Sequence, residues 1–104
     1  MKRFAFTMTV KPERLGEYVE VHRTVWPSVL DAIRRSGVKS YSIYLHGNQL
    51  FFYMEAEDPA AAMAYLDADA EHARWNREVT GGMFEGRLNV GAPEELPEVF
   101  HFEG

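Results

Sequence analysis

The apolar residues of this chain follow two different periodicities, and the order in which these alternate restricts the fold more than any other feature. Phe4, Phe6, Met8 and Val10 recur at every second position, which is typical of a strand with one apolar face. The apolar residues that follow recur every three or four positions, which is typical of an amphipathic helix. The N-terminal segment therefore predicts a strand followed by a long helix.

The predicted helix begins at Pro12, whose fixed φ suits a first turn, and ends at Ser36-Gly37, where glycine provides a stop signal. Pro27 lies inside it and cannot donate to the carbonyl of Arg23, so we expect a kink one turn after His22. The apolar stripe of this helix comprises Leu15, Tyr18, Val19, His22, Val25, Trp26, Val29, Leu30 and Ile33.

The middle of the chain predicts a hairpin and then a helix. Val38–Leu45 and Leu50–Glu57 alternate like strands, and the Gly47-Asn48 pair between them is typical of a tight turn. Asp58-Pro59 predicts a helix start, because aspartate caps the first turn and proline is favoured within it. This helix is expected to run to about Leu66.

The C-terminal third predicts one more helix and one more strand. The helix begins near Asp69 and ends at Gly81-Gly82. Residues from about Phe84 to Pro97 show little periodicity and are expected to be irregular, and a short final strand is expected at Glu98–Phe102. The order βαββαβ is the ferredoxin-like α+β arrangement, within one domain covering residues 1–104.

A sheet of this kind has helices on one face only, so its other face would expose aromatic and aliphatic side chains. An apolar patch of that size needs a cover, and a second copy of the chain provides one when two sheets stack. We therefore expect a homodimer. The final strand could instead cross over and pair with the partner's sheet.

Composition excludes several classes of function. The chain of 104 residues has a formal net charge of -5 and no run of lysine and arginine, which argues against a nucleic-acid partner. It contains no cysteine, which excludes disulfides and thiolate catalysis and fits a cytoplasmic location. The N-terminal apolar run is interrupted by threonines and resembles a strand more than a signal peptide, and we expect no membrane segment.

Motif spacing predicts neither a metal site nor a phosphate site. The four histidines, His22, His46, His72 and His101, form no short His-x-x-x-His pair. Gly81-Gly82 is not followed by the lysine and hydroxyl pair of a phosphate-binding loop, and serine hydrolase motifs are absent.

His22 is the first candidate for acid/base chemistry, because it combines an inward position with a ring that titrates near neutral pH. Tyr18 and Trp26 flank it at four-residue steps. Two interpretations are open, a hydrogen-bonded core histidine and a working acid/base group.

Trp75 is the second candidate, because its helix is otherwise mostly polar. It could be a core residue, or a platform on which the C–H face of a sugar ring stacks. Tyr18, Tyr41 and Asn76 could then supply polar contacts to sugar hydroxyls.

Several segments together resemble the L-rhamnose mutarotase family in order and spacing over essentially the whole chain. They are Tyr18-Val19-Glu20-Val21-His22 with Val25-Trp26-Pro27, Tyr41-Ser42-Ile43-Tyr44-Leu45, the Leu50-Phe51 strand with Glu55 and Glu57, Arg74-Trp75, and Leu96-Pro97-Glu98-Val99-Phe100-His101. The chain departs from the family pattern at Asn76, where some members have a second tryptophan, and at the glycine pair Gly81-Gly82.

The resemblance implies a dimeric α+β barrel that needs no metal or organic cofactor and interconverts the α and β anomers of a 6-deoxy sugar, most simply L-rhamnose. It implies that His22 is the proton donor and that Tyr18, Tyr41, Trp75 and Asn76 line the sugar site. The group that acts as base stays open between Tyr18 and a water molecule. Two other classes use the same barrel, cofactor-free monooxygenases and non-catalytic small-ligand-binding proteins, and fold alone does not separate them.

Overall fold

The computed structural model of the chain describes residues 1–85 and 94–104. Its strands are β1 (Lys2–Thr9), β2 (Val38–His46), β3 (Gln49–Ala56) and β4 (Glu94–Glu95). They form one antiparallel sheet in the order β2-β3-β1-β4. This order and the helices between the strands confirm the ferredoxin-like α+β prediction.

Four helices connect the strands in two pairs. They are α1 (Leu15–Val21), α2 (Pro27–Arg35), α3 (Pro59–Ala68) and α4 (Ala70–Glu78). Short 3₁₀ turns at Pro12–Arg14 and His22–Thr24 flank α1. Among the helices of the described residues, none combines the length and the apolar character that crossing a membrane requires.

The single long helix expected after β1 is wrong, because the chain leaves helical geometry before Pro27. Val25 and Trp26 are extended, with ψ angles of 136° and 134°. The residue before a proline is sterically disfavoured in the helical region, so Trp26 is extended and Pro27 begins a new helix. Part of the predicted stripe faces outward, since Val19 and Leu30 are exposed.

The final strand expected at Glu98–Phe102 is also wrong. The last strand is Glu94–Glu95, inside the stretch expected to be irregular, and it pairs with Phe6 and Thr7 of β1. Residues 96–104 contain no strand, and Phe100 and Phe102 are 80% and 73% exposed. Without core contacts, the alternation of these aromatic residues does not specify a strand within one chain. Residues 86–93 of the stretch expected to be irregular lie outside the described residues.

The core lies between one face of the sheet and the helices. β3 alternates between buried and partly exposed residues, which confirms the hairpin prediction, and Gly47 supplies the positive φ of 63° that the turn requires. Phe6 of β1 and Phe52 of β3 are paired in register and stack with ring centroids 4.6 Å apart. The main buried cluster comprises Phe6, Val10, Tyr18, Val38, Leu50, Phe52, Met54, Ala56, Ala62, Met83 and Phe84.

Aspartate caps fix the starts of the two C-terminal helices. Asp58 accepts a hydrogen bond from the Ala61 amide at 3.1 Å, as the Asp-Pro pair predicted. Asp69 accepts from the amides of Glu71 and His72 at 3.1 and 3.0 Å. The guanidinium of Arg35 at the end of α2 lies 3.1 Å from the Asp69 carboxylate, which ties α2 to the start of α4.

We expect opposite effects on stability from alanine at two glycines. Gly81 approaches the backbone so closely that a Cβ would lie 2.6 Å from the Arg77 carbonyl oxygen, whereas a Cβ at Gly16 would meet nothing within 4 Å. Gly81→Ala should lower the free energy of unfolding by roughly 1–3 kcal/mol through overpacking. Gly16→Ala should raise it by up to about 1 kcal/mol through helix propensity. Urea unfolding at one fixed protein concentration measures both, and equal stabilities would contradict the close approach at Gly81.

Candidate active site

Four side chains from three segments form what we call the aromatic cluster: Tyr18, His22, Trp26 and Trp75. The Tyr18 and His22 rings lie 4.2 Å apart between centroids, and the His22 and Trp75 rings 5.8 Å apart at 85°. Trp75 also meets Trp26 at 5.2 Å and 87°. The structure thus brings the two leading sequence candidates, His22 and Trp75, into contact.

The orientation of His22 follows from one short hydrogen bond. His22 begins the 3₁₀ turn after α1, and its Nδ1 lies 2.7 Å from the backbone carbonyl oxygen of Tyr18. A carbonyl oxygen can only accept, so Nδ1 carries the hydrogen and donates it. In the neutral ring the other nitrogen, Nε2, then has a free lone pair and acts as an acceptor.

The surroundings of His22 favour its neutral form. Burial lowers the pKa of the imidazole below its ordinary value, and the hydrogen bond to the Tyr18 carbonyl opposes that shift to a smaller extent. His22 is nevertheless only half-buried. It is therefore a neutral base at neutral pH, with part of its ring accessible.

Two phenols on different elements belong to the surroundings of the site: Tyr18 lies against His22, and Tyr41 lies near Tyr18. Tyr18 on α1 is buried, and Tyr41 on β2 is half-buried, with its ring 6.4 Å from that of Phe52. Burial raises the pKa of both phenols, and the proximity of Tyr41 raises the pKa of Tyr18 further. Both hydroxyls therefore stay protonated at neutral pH and can donate a hydrogen bond or a proton.

Trp75 is more enclosed than an open platform for a sugar ring would be. Trp75 is 5% exposed and contacts the rings of both His22 and Trp26. The core interpretation thus gains support, and the indole serves at least as a wall behind His22. A direct contact between Trp75 and a sugar stays a prediction.

Asn76 points away from the contacts of the aromatic cluster. It is exposed, and its amide nitrogen lies 3.4 Å from Nδ1 of His72, one turn earlier on α4. Burial lowers the pKa of His72, so that this ring is also neutral at neutral pH. The role of Asn76 as a sugar contact stays a prediction.

Sequence reasoning missed two contacts at the site, although it had named Arg74 beside Trp75. The guanidinium carbon of Arg74 lies 4.5 Å from the ring centroid of Trp26, and Phe84 packs edge-on against Tyr18 at 5.6 Å. The four-residue step from His22 to Trp26 indicated that Trp26 lies near the site, but it did not identify Arg74 as the residue that covers it. The contact of Phe84 with Tyr18 could not be predicted from the sequence, because Phe84 begins a stretch without periodicity. An isolated backbone bridge pairs Phe84 with Val10 at the end of β1.

The arrangement is suited to moving protons between hydroxyl groups of a bound molecule. It offers an accepting nitrogen on His22 and two protonated phenols. In the part of the chain that the structure describes, no three histidine, aspartate or glutamate side chains converge in a way that could hold a metal ion. A groove of about 510 Å³ lies elsewhere, between β1 and the C-terminal tail, and its lining includes Arg3, Tyr53 and Glu98 but no member of the cluster.

We expect the ring nitrogens of His22 to show the tautomer that the geometry requires. In ¹⁵N-labelled protein at neutral pH, Nδ1 should carry the hydrogen and Nε2 should be unprotonated, because the Tyr18 carbonyl accepts only from Nδ1. The pKa from the same titration should lie below the ordinary histidine value of about 6.5. His22→Gln identifies the signal, and a hydrogen on Nε2 in the neutral ring would contradict the assignment.

Comparison with known proteins gives a consistent family match. A family model described as L-rhamnose mutarotase matches residues 3–102. An L-rhamnose mutarotase from Oceanobacillus iheyensis is 31% identical over 99% of this chain and all of that protein. Another from Opitutus terrae is 34% identical with the same coverage of both chains.

Solved structures share the fold. The crystal structure of an L-rhamnose mutarotase from Formosa agariphila superposes with a TM-score of 0.82 at 24% identity, covering 99% of this chain and 100% of that chain. A putative antibiotic biosynthesis monooxygenase from Bordetella bronchiseptica superposes with a TM-score of 0.68 at 14% identity, covering 94% and 96%. At these identities the superpositions establish the common architecture, which both kinds of protein use.

Proposed function

The chain belongs to the L-rhamnose mutarotase family, and on this premise we propose that it interconverts the α and β anomers of L-rhamnose by acid/base catalysis at the aromatic cluster. The observation that carries the chemistry is the 2.7 Å hydrogen bond between Nδ1 of His22 and the Tyr18 carbonyl. It leaves an accepting nitrogen on a half-buried neutral ring beside the protonated phenol of Tyr18.

Anomer exchange requires two proton transfers and no net oxidation. The bond between the anomeric carbon and the ring oxygen breaks while the anomeric hydroxyl loses its proton and becomes a carbonyl oxygen. The ring oxygen gains a proton and becomes a hydroxyl group. Rotation about the bond next to the carbonyl and closure on its other face give the other anomer, with the same transfers reversed. One acceptor and one donor at fixed positions are sufficient for both halves.

We assign the acceptor role during ring opening to His22. Its neutral Nε2 takes the proton of the anomeric hydroxyl, and the Tyr18 carbonyl stabilises the resulting imidazolium by accepting from Nδ1–H. During closure the imidazolium donates this proton back to the anomeric oxygen. We thus place the donor role that the resemblance implies for His22 in closure, and we assign to His22 the base role in opening that the sequence left open between Tyr18 and a water molecule. The proton for the ring oxygen comes from one of the two phenols, Tyr18 or Tyr41, whose raised pKa values keep them protonated.

The substrate assignment to L-rhamnose follows the names of the relatives, and a sugar panel tests it. NMR saturation exchange between the α and β anomeric protons should show acceleration with L-rhamnose, with L-fucose as the closest competing 6-deoxy sugar. Absence of exchange with the whole panel, together with oxygen uptake on a quinol, would favour the monooxygenase alternative instead. A cytoplasmic location, expected from the sequence, stays part of this proposal.

His22→Ala should fold and lose most of the catalysed exchange, by roughly 10²–10⁴-fold, because it removes the general acid/base group. His46→Ala, at the exposed end of β2, is the matched control and should keep its rate. In the wild type, kcat should fall as the pH decreases through the pKa of His22, since protonation removes the acceptor. The midpoint should lie below about 6.5, because burial lowers that pKa. A folded His22→Ala protein with the wild-type rate would refute the assignment.

We also propose that the active form is a homodimer. The sheet face opposite the helices carries Phe51 and Tyr53, both partly exposed, and Tyr44, which is 63% exposed. In the C-terminal tail Val99, Phe100 and Phe102 are at least 73% exposed. Apolar groups exposed to this extent on one small chain are typical of a surface that another copy covers.

Sedimentation at micromolar concentration should give the mass of two chains. Replacing both tail aromatics, Phe100→Ser with Phe102→Ser, should weaken association, because their rings are exposed in the single chain and bury apolar area only in an assembly. The control is Glu103→Gln, a polar change in the same tail. A wild-type monomer under these conditions would contradict the proposal.

A further inference from the structure

Trp26 touches none of the proposed proton-transferring groups, yet its place in the fold is unusually well defined. Its carbonyl accepts hydrogen bonds from the amides of Val29 and Leu30 at 2.9 and 3.1 Å, which anchors it to the first turn of α2. Pro27 restricts its backbone to the extended conformation observed. The direction in which its indole leaves the chain is therefore determined by local sequence.

Arg74 covers the Trp26 ring from α4. Its guanidinium carbon lies 4.5 Å from the ring centroid, within the range of a cation–π contact. Two carboxylates on the same helix hold this guanidinium, with the Nε atom 3.0 Å from Glu71 and 3.6 Å from Glu78. Arg74 and its two carboxylate partners, all on α4, thus hold a cation over the Trp26 indole.

Trp75 connects this arrangement to His22. Its ring meets Trp26 at 5.2 Å and His22 at 5.8 Å, both nearly perpendicular. Because Trp75 is 5% exposed, it has little free space into which it could turn. Loss of the Trp26 ring would therefore remove one of the two aromatic contacts described for Trp75 and allow its indole to shift relative to His22.

We propose that Trp26 is a positioning residue for the anomer exchange, and that Arg74 and Trp26 together hold Trp75 against the His22 ring. This inference rests on the proposed function for its kinetic consequences. It extends the site beyond the sugar contacts and the acid/base group, to a pair of residues that act through Trp75.

Loss of the Trp26 contact should alter the protonation of His22 as well as the rate. A displaced Trp75 would admit water to the imidazole, and better hydration raises the pKa of a buried histidine towards its ordinary value. The elements around His22 carry several titratable or charged groups: Glu17, Tyr18 and Glu20 on α1, Arg23 in the turn of His22, and Glu71, His72, Arg74, Arg77 and Glu78 on α4. Tyr41 on β2 lies near Tyr18. The substitutions below leave the two phenols and all of these carboxylates in place.

The central variants are Trp26→Leu and Trp26→Phe, measured for kcat and KM across pH. We expect kcat of Trp26→Leu to fall about tenfold, the upper range for losing an aromatic pair, with the acid limb of the profile moved to higher pH. Trp26→Phe keeps an aromatic ring at the same place, so its kcat should be close to that of the wild type. KM should change less than kcat, because the sugar does not contact Trp26 in this proposal.

Arg74→Gln and Arg77→Gln form a matched pair, since both remove one positive charge from exposed positions on α4. Only Arg74 covers Trp26, so Arg74→Gln should lower kcat about two- to fivefold while Arg77→Gln leaves it unchanged. Arg74→Lys keeps the charge but lacks the planar guanidinium, so its kcat should lie between those of Arg74→Gln and Arg77→Gln.

Two readouts do not need activity. The two tryptophans of the chain form this edge-to-face pair, so the difference in far-ultraviolet circular dichroism between the wild type and Trp26→Phe reports on their exciton coupling. Trp26→Phe should abolish this coupling and Arg74→Gln should reduce it. NMR titration of His22 should give a higher pKa in Trp26→Leu than in the wild type.

The outcomes separate the two proposals. A folded Trp26→Leu protein with wild-type kcat and an unmoved His22 titration overturns the positioning role. If Trp26→Leu does not fold, the comparison of Arg74→Gln with Arg77→Gln tests the positioning role instead. Equal kcat, equal circular dichroism and an equal His22 pKa in these two variants would overturn that role. If the wild type exchanges no sugar of the panel, the proposed function fails, and the dichroism and titration alone support or overturn the positioning.

Discussion

The extended pair Val25-Trp26, immediately before Pro27, is the constraint on which the rest of the site depends. A proline disfavours the helical conformation of the residue before it, so one amphipathic stretch becomes two helices. The second helix, α2, then runs antiparallel to α4, with Trp26 against Trp75 at one end and Arg35 against Asp69 at the other. A continuous helix would have carried Trp26 along the axis of α1 and away from this pair.

The environment of His22 satisfies two opposing requirements, burial and access. A useful acid/base group needs a ring that is dry enough to stay neutral and open enough to reach a substrate. The half-buried ring, with one nitrogen donating to a backbone carbonyl one turn earlier, meets both. The surrounding aromatic rings lower the pKa of His22 by excluding water, and the hydrogen bond to the Tyr18 carbonyl stabilises the imidazolium after protonation. Neither contact requires a charged partner, which suits a reaction on a neutral sugar.

Much of the fold and part of the site were predictable from residues close together in sequence. The alternating strands, the Gly-Asn hairpin and the Asp58 cap depend on local backbone preferences, and these predictions are confirmed. The inward position of His22 beside Tyr18 followed from helical spacing alone. The final strand was predicted at the wrong residues, because an alternating pattern forms a strand only where a neighbouring strand pairs with it and a core buries its apolar side chains. Phe100 and Phe102 are exposed in the single chain and have neither kind of support.

By itself, the sequence determined the order of the elements, the family and the identity of the acid/base candidate, because periodicity, capping residues and motif order are properties of neighbouring positions. Only the tertiary structure decided which nitrogen of His22 is free, how deeply Trp75 is enclosed, and that Asn76 turns to His72 instead. It also decided that Arg74 covers Trp26. These features depend on where α1, α2 and α4 meet, and that packing follows from burial summed over residues far apart in the chain.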